Sequence, residues 1–210
     1  MGLYLVSGWQ LLRACGPMAW PLLAISILAV WIIVERWLYL NGIAGDTQAL
    51  LASLRDRLKH NQVKQALEIC DAQGTPAALV LKAGIITYDR PRTQVKEAME
   101  DAALYEIPKL EKNLSLVLVL SQIAPLIGFL GTLVGLAKVF YALQQHAVVS
   151  VPLADVAVSA GLGEAIISSI AGMTIAIPVF IAYHYLSERV RDSILEMEKA
   201  STELVNYLTE

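Results

Sequence analysis

Hydrophobic residues are concentrated in three long stretches of the chain, and the segments between them are more polar. The stretches run roughly from Pro17 to Leu40, from Leu114 to Leu143 and from Val156 to Leu186. A helix of about 20 apolar residues crosses the hydrocarbon core of a bilayer, so each stretch is long enough to span a membrane. The pattern predicts an all-α integral membrane protein with three transmembrane helices.

The composition agrees with this class. Of the 210 residues, 56% are hydrophobic and 17% are charged, and the mean hydropathy is +0.56. Soluble domains carry about 25% charged residues. The composition therefore excludes an ordinary soluble domain of this length.

The first stretch has the markers of a membrane interface at its ends. Trp20 and Trp37 lie near the two ends, and Glu35 and Arg36 close the stretch, which is typical of an aromatic belt and a charged stop. A cleaved signal peptide is the competing interpretation. The apolar run is too long for a signal peptide. Arg13 is also the only basic residue before it, whereas a signal peptide normally begins with a positively charged segment.

Basic residues are distributed unevenly between the connecting segments. Residues 41–113 hold ten of the 16 Lys and Arg, and residues 187–210 hold three more. Residues 144–157 hold none, and residues 1–16 hold only Arg13. The positive-inside rule therefore predicts that the N-terminus is external and the C-terminus cytoplasmic.

This orientation predicts the domain layout. Its segments are an external N-terminus (1–16), transmembrane helix 1 (17–40), a cytoplasmic helical region (41–113), transmembrane helix 2 (114–143), a short periplasmic loop (144–155), transmembrane helix 3 (156–186) and a cytoplasmic C-terminal helix (187–210). Cys15 and Cys70 then lie in opposite compartments, so we expect no disulfide between them.

The cytoplasmic region is predicted to be small and helical. Asp46 is placed to cap a helix with an apolar face, formed by Leu50, Leu51, Leu54 and Leu58. A second helix is expected near 63–72. Gly74 and Pro76 then interrupt the chain, and a third helix runs to about Tyr88.

A much longer helix is predicted to follow. Pro91 and Thr93 open it, and the pattern stays helical into the second span, giving a helix of about 50 residues at ~1.5 Å per residue. We expect bends at Pro108 and Pro125. Long helices would then extend from the membrane into the cytoplasm.

Small and hydroxyl-bearing residues share one face of each of the last two spans. In the second span they fall within about a third of the helix circumference, at Gly128, Gly131, Thr132 and Gly135. In the third they form a stripe with Ser169 beside it, at Gly161, Ala165, Ser168, Gly172 and Ala176. Close helix packing in lipid is one explanation of such faces; an ion pathway is the other.

Two charged residues lie inside these spans. Lys138 is near the external end of the second, where it could extend outward to the interface. Glu164 is about two turns inside the third, where a charged group is costly and normally faces protein, water or a counter-charge. An ion pair between them is one expectation, and a place in an ion pathway is the other.

No catalytic motif is present. The sequence contains no GxxxxGK[ST] loop, HExxH motif, GxSxG elbow or Cys/His cluster at metal spacing. His60, His146 and His184 are far apart in sequence and are interpreted as surface or interfacial residues. We therefore predict no enzyme, catalytic residue, metal or cofactor, and no nucleic-acid partner.

Two segments resemble a known family. Residues 124–140, APLIGFLGTLVGLAKVF, and 161–186, GLGEAIISSIAGMTIAIPVFIAYHYL, are similar to the signature helices of the ExbB/TolQ/MotA proton-channel family. Residues 16–40 look like the first span of ExbB-type members. The resemblance covers nearly the whole chain, and its three-span topology and first span favour ExbB.

The resemblance implies a function and partners. Members form a ring, understood as five-fold, around two copies of a single-span partner resembling ExbD or TolR, whose membrane aspartate carries the proton. This implies a homopentamer in the bacterial inner membrane, driven by proton-motive force. The load would be a TonB-like protein that energises transport across the outer membrane. A TolQ-like role in envelope constriction is the alternative.

The resemblance also assigns residues. Thr132, Glu164 and Ser169 match ion-pathway positions of the family, and Ser168 lies beside them. Ser169 is a departure, because the family usually has Thr there. Lys138 stands where polar uncharged residues are more familiar, at a possible outer vestibule. The coupling ion, proton or sodium, stays open.

Two other classes of function remain as alternatives. A non-conducting scaffold would use the small-residue faces only for packing. A secondary transporter would normally need an internal repeat or a broken helix pair, and no repeat is visible in the sequence.

Overall fold

The computed structural model describes residues 15–43, 45, 47–146 and 153–209. Asp46, Arg13 and residues 147–152 of the predicted periplasmic loop lie outside the described residues. A short 3-10 turn, Gly16–Met18, is followed by helices α1 (Ala19–Ile43), α2 (Thr47–Lys59), α3 (Val63–Gln73), α4 (Pro76–Ile86), α5 (Arg92–Glu111), α6 (Leu114–His146) and α7 (Leu153–Thr209). Helices α1, α6 and α7 are long and apolar enough to cross a membrane, which confirms the all-α membrane class.

The chain divides into two compact units. The first contains the chain up to Val34 together with Ser115–His184. The second contains Glu35–Leu114 and the chain from Tyr185 onward. The first unit is therefore built from the apolar parts of α1, α6 and α7, and the second contains the whole of α2 to α5.

A small apolar core joins the three long helices of the first unit. It consists of Ala29 and Ile32 from α1, Val117 and Leu120 from α6, and Val179 from α7. The opposite helix faces expose large apolar side chains, including Trp31, Phe129, Leu133, Ile170 and Ile177. Such surfaces suit lipid or neighbouring protein, because they need no water.

In the second unit, local chemistry explains where α3 ends and α4 begins. Gly74 adopts a left-handed conformation, with φ of 56°, and its N–H donates to the Cys70 carbonyl at 3.1 Å. Thr75 caps α4, because its hydroxyl accepts from the Ala78 N–H at 3.3 Å, and Pro76 occupies the first turn. The predicted interruption at Gly74 and Pro76 is confirmed.

The apolar face predicted for α2 packs into the core of the second unit. Leu50, Leu51 and Leu54 are buried, and Leu58 is half-buried. On the polar side, Arg55 pairs with Glu203 of α7 at 2.8 Å and lies 5.8 Å above the Tyr207 ring. Helix α2 is thus held in the second unit by apolar burial and to the C-terminal part of α7 by charge.

Arg36 is buried in the second unit instead of ending the first span as a solvated charge. Its side chain is 3% exposed, and Nη1 donates to the Lys109 carbonyl near the end of α5 at 3.4 Å. The guanidinium also lies 5.2 Å from the centre of the Tyr39 ring. Arg36 therefore satisfies a terminal helix carbonyl that would otherwise lack an intrahelical partner.

The prediction of one continuous helix from Thr93 into the second span is wrong. Helix α5 ends at Glu111 and α6 begins at Leu114. Lys112 is extended, with φ of −49° and ψ of 136°, and Asn113 is left-handed, with φ of 62°. Asn tolerates this conformation better than most residues, so two polar residues break the helix. Pro108 lies inside α5 and Pro125 inside α6, and neither helix ends at its proline.

Cys70 is expected to be unreactive in the folded protein. It is fully buried in α3, and burial, followed by the negative charge of Asp71 and opposed by Lys82, raises the pKa of its thiol to about 11. Because the thiolate is the nucleophile, alkylation should be slow at neutral pH and should accelerate only as the pH nears that value.

The measurement is the alkylation rate of a Cys15→Ser variant, followed by mass spectrometry from neutral to alkaline pH. The same variant unfolded in denaturant is the control and should react near the ordinary thiol pKa of about 8.5. Equal folded and unfolded rates at pH 8 would contradict the prediction.

Candidate functional site

The small-residue faces of α6 and α7 meet at backbone contact. A Cβ added to Gly172 would lie 2.7 Å from the Ala124 carbonyl oxygen and 3.0 Å from the α carbon of Gly128. A Cβ on Gly128 would lie 2.9 Å from the Ser168 carbonyl oxygen. Real Cβ atoms essentially never approach other atoms so closely, so the two helices fit only because these positions carry no side chain.

The same contact continues along the two helices. A Cβ on Gly135 would lie 2.7 Å from the Gly161 carbonyl oxygen, and one on Gly161 would lie 2.8 Å from Val139 Cγ2. A Cβ on Gly131 would lie 2.5 Å from Ser168 Oγ. All five glycines assigned to packing therefore lie between α6 and α7.

Two hydroxyls lie within this contact and share the same carbonyl groups. Thr132 Oγ1 of α6 lies 3.3 Å from both the Gly128 and the Ala165 carbonyl oxygens. Ser168 Oγ of α7 lies 3.0 Å from the Ala165 oxygen and 3.4 Å from the Gly128 oxygen. We call Thr132, Ser168 and these two carbonyls the hydroxyl cluster. Each hydroxyl can donate within its own helix or to the other helix.

The three hydroxyl residues differ in burial. Ser168 is fully buried, while Thr132 and Ser169 are half-buried. Ser168 therefore lies at the helix contact itself, and the other two reach its edge. Only the edge positions are open to a water molecule or to another chain.

Lys138 and Glu164 form an ion pair between α6 and α7. The Lys138 ammonium lies 2.8 Å from Oε1 and 2.7 Å from Oε2 of Glu164. The Lys138 side chain is 48% exposed and that of Glu164 17% exposed. Lys138 thus contacts the carboxylate instead of extending away to the interface.

The turn before α1 also contacts this ion pair, which sequence reasoning missed. Gly16 has φ of 60°, and a Cβ at this position would overlap the Glu164 carboxylate. Cys15 beside it is buried, and burial, followed by the charge of Glu164, raises the pKa of its thiol. The Gly16–Pro17 pair signals a turn, but only the tertiary contact reveals what the turn packs against.

The described polar side chains of this site offer hydrogen bonding and charge. Within the described part of the chain, no group of three or more His, Cys, Asp or Glu could hold a metal ion. His184 packs edge-on against Phe180 and Tyr183, with ring centroids 4.5 and 5.3 Å away. The polar atoms available are the hydroxyl cluster, the nearby Ser169 and the ion pair.

Substituting Gly135 or Gly172 with Ala should weaken the packing of α6 against α7. Each new methyl would meet a backbone oxygen, and such overpacking costs about 1–3 kcal/mol. The measurement is the thermal unfolding midpoint in detergent, which we expect to fall for both variants.

Gly163→Ala on α7 is the matched control, because a Cβ there meets nothing within 4 Å. This control should retain the wild-type midpoint. Equal losses for all three variants would show that the α6–α7 contact does not depend on the absence of side chains.

Comparison with known proteins identifies similar sequences. Residues 72–199 match the MotA/TolQ/ExbB proton channel family. A biopolymer transport protein ExbB homolog of Methanothermobacter thermautotrophicus is 24% identical over 90% of this chain and 66% of its own length. Biopolymer transport protein exbB1 of Vibrio cholerae is 30% identical over 85% of this chain and 78% of its own. Tol-Pal system protein TolQ of Haemophilus influenzae is 32% identical, over 49% of this chain and 44% of its own.

Proposed function

Because the chain belongs to the MotA/TolQ/ExbB proton channel family, we propose that it is the ring-forming subunit of an ion-driven motor in the bacterial inner membrane. The observation that carries this proposal is the hydroxyl cluster between α6 and α7. Polar groups inside membrane spans are costly and usually mark a functional pathway or a helix contact. Thr132 and Ser169, at the edge of that contact, line the pathway in this proposal.

The pathway needs a proton carrier from another chain. The second span contains no Asp or Glu, and the third contains only Glu164. Glu164 is already paired with Lys138, so it is not a free carboxylate. A single-span partner of the ExbD or TolR type, carrying a membrane aspartate, supplies the missing group.

The exposed faces of the first unit support assembly into a ring. Large apolar side chains of α6 and α7 remain uncovered in the single chain, among them Phe129, Leu133, Ile166, Ile170 and Met173. Lipid covers some of these faces, and neighbouring subunits and the central partner cover the others. The ring is a homopentamer around two partner chains, with its N-termini periplasmic and its C-termini cytoplasmic, as the basic residues predict.

The protein that this motor drives is, in this proposal, a TonB-like protein that powers transport across the outer membrane. Relatives named ExbB align with 57–90% of this chain, whereas the TolQ relative aligns with 49%. This difference in coverage favours an ExbB-type role over a TolQ-type role in envelope maintenance. The identity of the partner gene product would distinguish the two.

Thr132→Val should abolish ion-driven activity while leaving assembly intact, because valine keeps the shape of threonine and removes the hydroxyl. We expect a loss of about 100-fold or more, since general acid–base groups commonly contribute about 10²–10⁴-fold. The measurement is proton flux through the purified complex in proteoliposomes, with energised uptake in cells as the second readout.

Thr174→Val is the matched control. Thr174 is exposed on α7 and donates to the Ile170 carbonyl of its own helix at 2.8 Å. This variant should conduct normally. If Thr132→Val and Glu164→Ala both retain wild-type flux and uptake, the non-conducting scaffold becomes the better description.

Native mass spectrometry tests the assembly separately from conduction. The chain should be co-expressed with an adjacent gene product that has one span and a membrane aspartate, and purified in mild detergent. We expect five copies of this chain with two copies of the partner. A monomer or dimer that does not bind the partner would contradict the ring.

A further inference from the structure

We propose that Lys138 is a specificity-determining residue, whose ammonium occupies the cation-binding position of Glu164 and keeps metal cations from binding there. The inference rests on the proposed ion-conducting function and adds a specific role for a residue of this chain. Glu164 is the only carboxylate within the last two predicted spans. Without a neighbouring positive charge, the Glu164 carboxylate would be the preferred binding site for a monovalent metal cation in these spans.

The geometry of the ion pair leaves no room for a second cation on the same side of the carboxylate. The ammonium contacts both oxygens nearly equally, at 2.8 and 2.7 Å. A sodium ion bound by both oxygens of Glu164 would need this same position. Lys138 therefore acts as a cation that is covalently tethered to the site and cannot be carried across the membrane.

A second side of the carboxylate is closed by the turn before α1. Glu164 Oε1 lies so close to the α carbon of Gly16 that no side chain fits between them. The Glu164 side chain is only 17% exposed as a result of these contacts. A metal cation therefore cannot reach the carboxylate from the Gly16 side while it is held in this position.

Carbonyl oxygens of the adjoining α6–α7 contact are already engaged. A hard cation requires several oxygen ligands at once. Two carbonyls of the α6–α7 contact, those of Gly128 and Ala165, both face the hydroxyls of Thr132 and Ser168. These groups suit the relay of a proton along hydrogen bonds better than the coordination of a dehydrated metal ion.

Removing the positive charge should expose the carboxylate. In Lys138→Gln the side chain keeps a similar length and can still donate a hydrogen bond, but Glu164 becomes an uncompensated negative charge. We expect sodium to bind there and to inhibit proton flux. Lys138→Arg retains the charge, so it should behave as the wild type does.

The experiment uses the full complex with its single-span partner in proteoliposomes under an imposed membrane potential. Proton flux is measured while sodium replaces choline at constant ionic strength, and sodium uptake is followed in parallel. Wild type and Lys138→Arg should be insensitive to sodium. Lys138→Gln should be inhibited by sodium at a concentration at least about tenfold below the highest one that leaves the wild type unaffected, since loss of one partner leaves a partly buried charge unpaired.

A double variant tests the cause. Lys138→Gln combined with Glu164→Gln has no carboxylate to attract sodium, so the sodium effect, measured for this pair of variants as sodium binding to the purified complex because Glu164 lies in the proposed pathway, should disappear. Persistence of the effect in the double variant would overturn the proposal, as would a Lys138→Gln complex that ignores sodium.

The wild-type complex also tests the inference without any substitution. Proton flux that depends on sodium, or sodium uptake by the wild type, would overturn the role of Lys138 while leaving the ion-driven motor in place. No ion flux under either salt would instead refute the proposed function itself. The two failures therefore give different results.

Discussion

The close approach of α6 and α7 is the constraint on which the rest of the first unit depends. Apolar side chains gain little by leaving lipid for a protein interior, so membrane helices associate through tight packing and hydrogen bonds. Gly128 and Gly172 permit backbone contact at one point, and Gly135 and Gly161 extend it. Only at this separation does the Thr132 hydroxyl of one helix reach the Ala165 carbonyl of the other.

The polar groups of this contact explain why packing and conduction are hard to separate from sequence. The Ser168 hydroxyl is fully buried and bonds to backbone carbonyls, which is what a structural residue does. Thr132 makes similar bonds but is half-exposed at the edge of the contact. In the proposed function the same hydroxyls hold two helices together and present oxygen atoms to a partner helix.

The two departures that the resemblance to the family implies, at Ser169 and Lys138, have different physical consequences. Ser169 keeps a hydroxyl and loses a methyl group, so its hydrogen-bonding chemistry is unchanged. Lys138 introduces a full positive charge, and α7 provides the opposite charge at Glu164. The pair keeps two charged groups within predicted membrane spans, where a single unpaired charge would be costly.

The sequence by itself determined the all-α membrane class, the three apolar spans, the face of α2 that is buried and the glycines of α6 and α7, because hydropathy and helical periodicity are local properties. It did not reveal the break at Lys112–Asn113, where the left-handed backbone of one residue ends the helix. It also did not reveal the contact between Gly16 and Glu164. That contact joins positions 148 residues apart, counting from residue 16 to residue 164. Only tertiary structure brings such residues together, because no local pattern encodes which helix end lies beside which side chain.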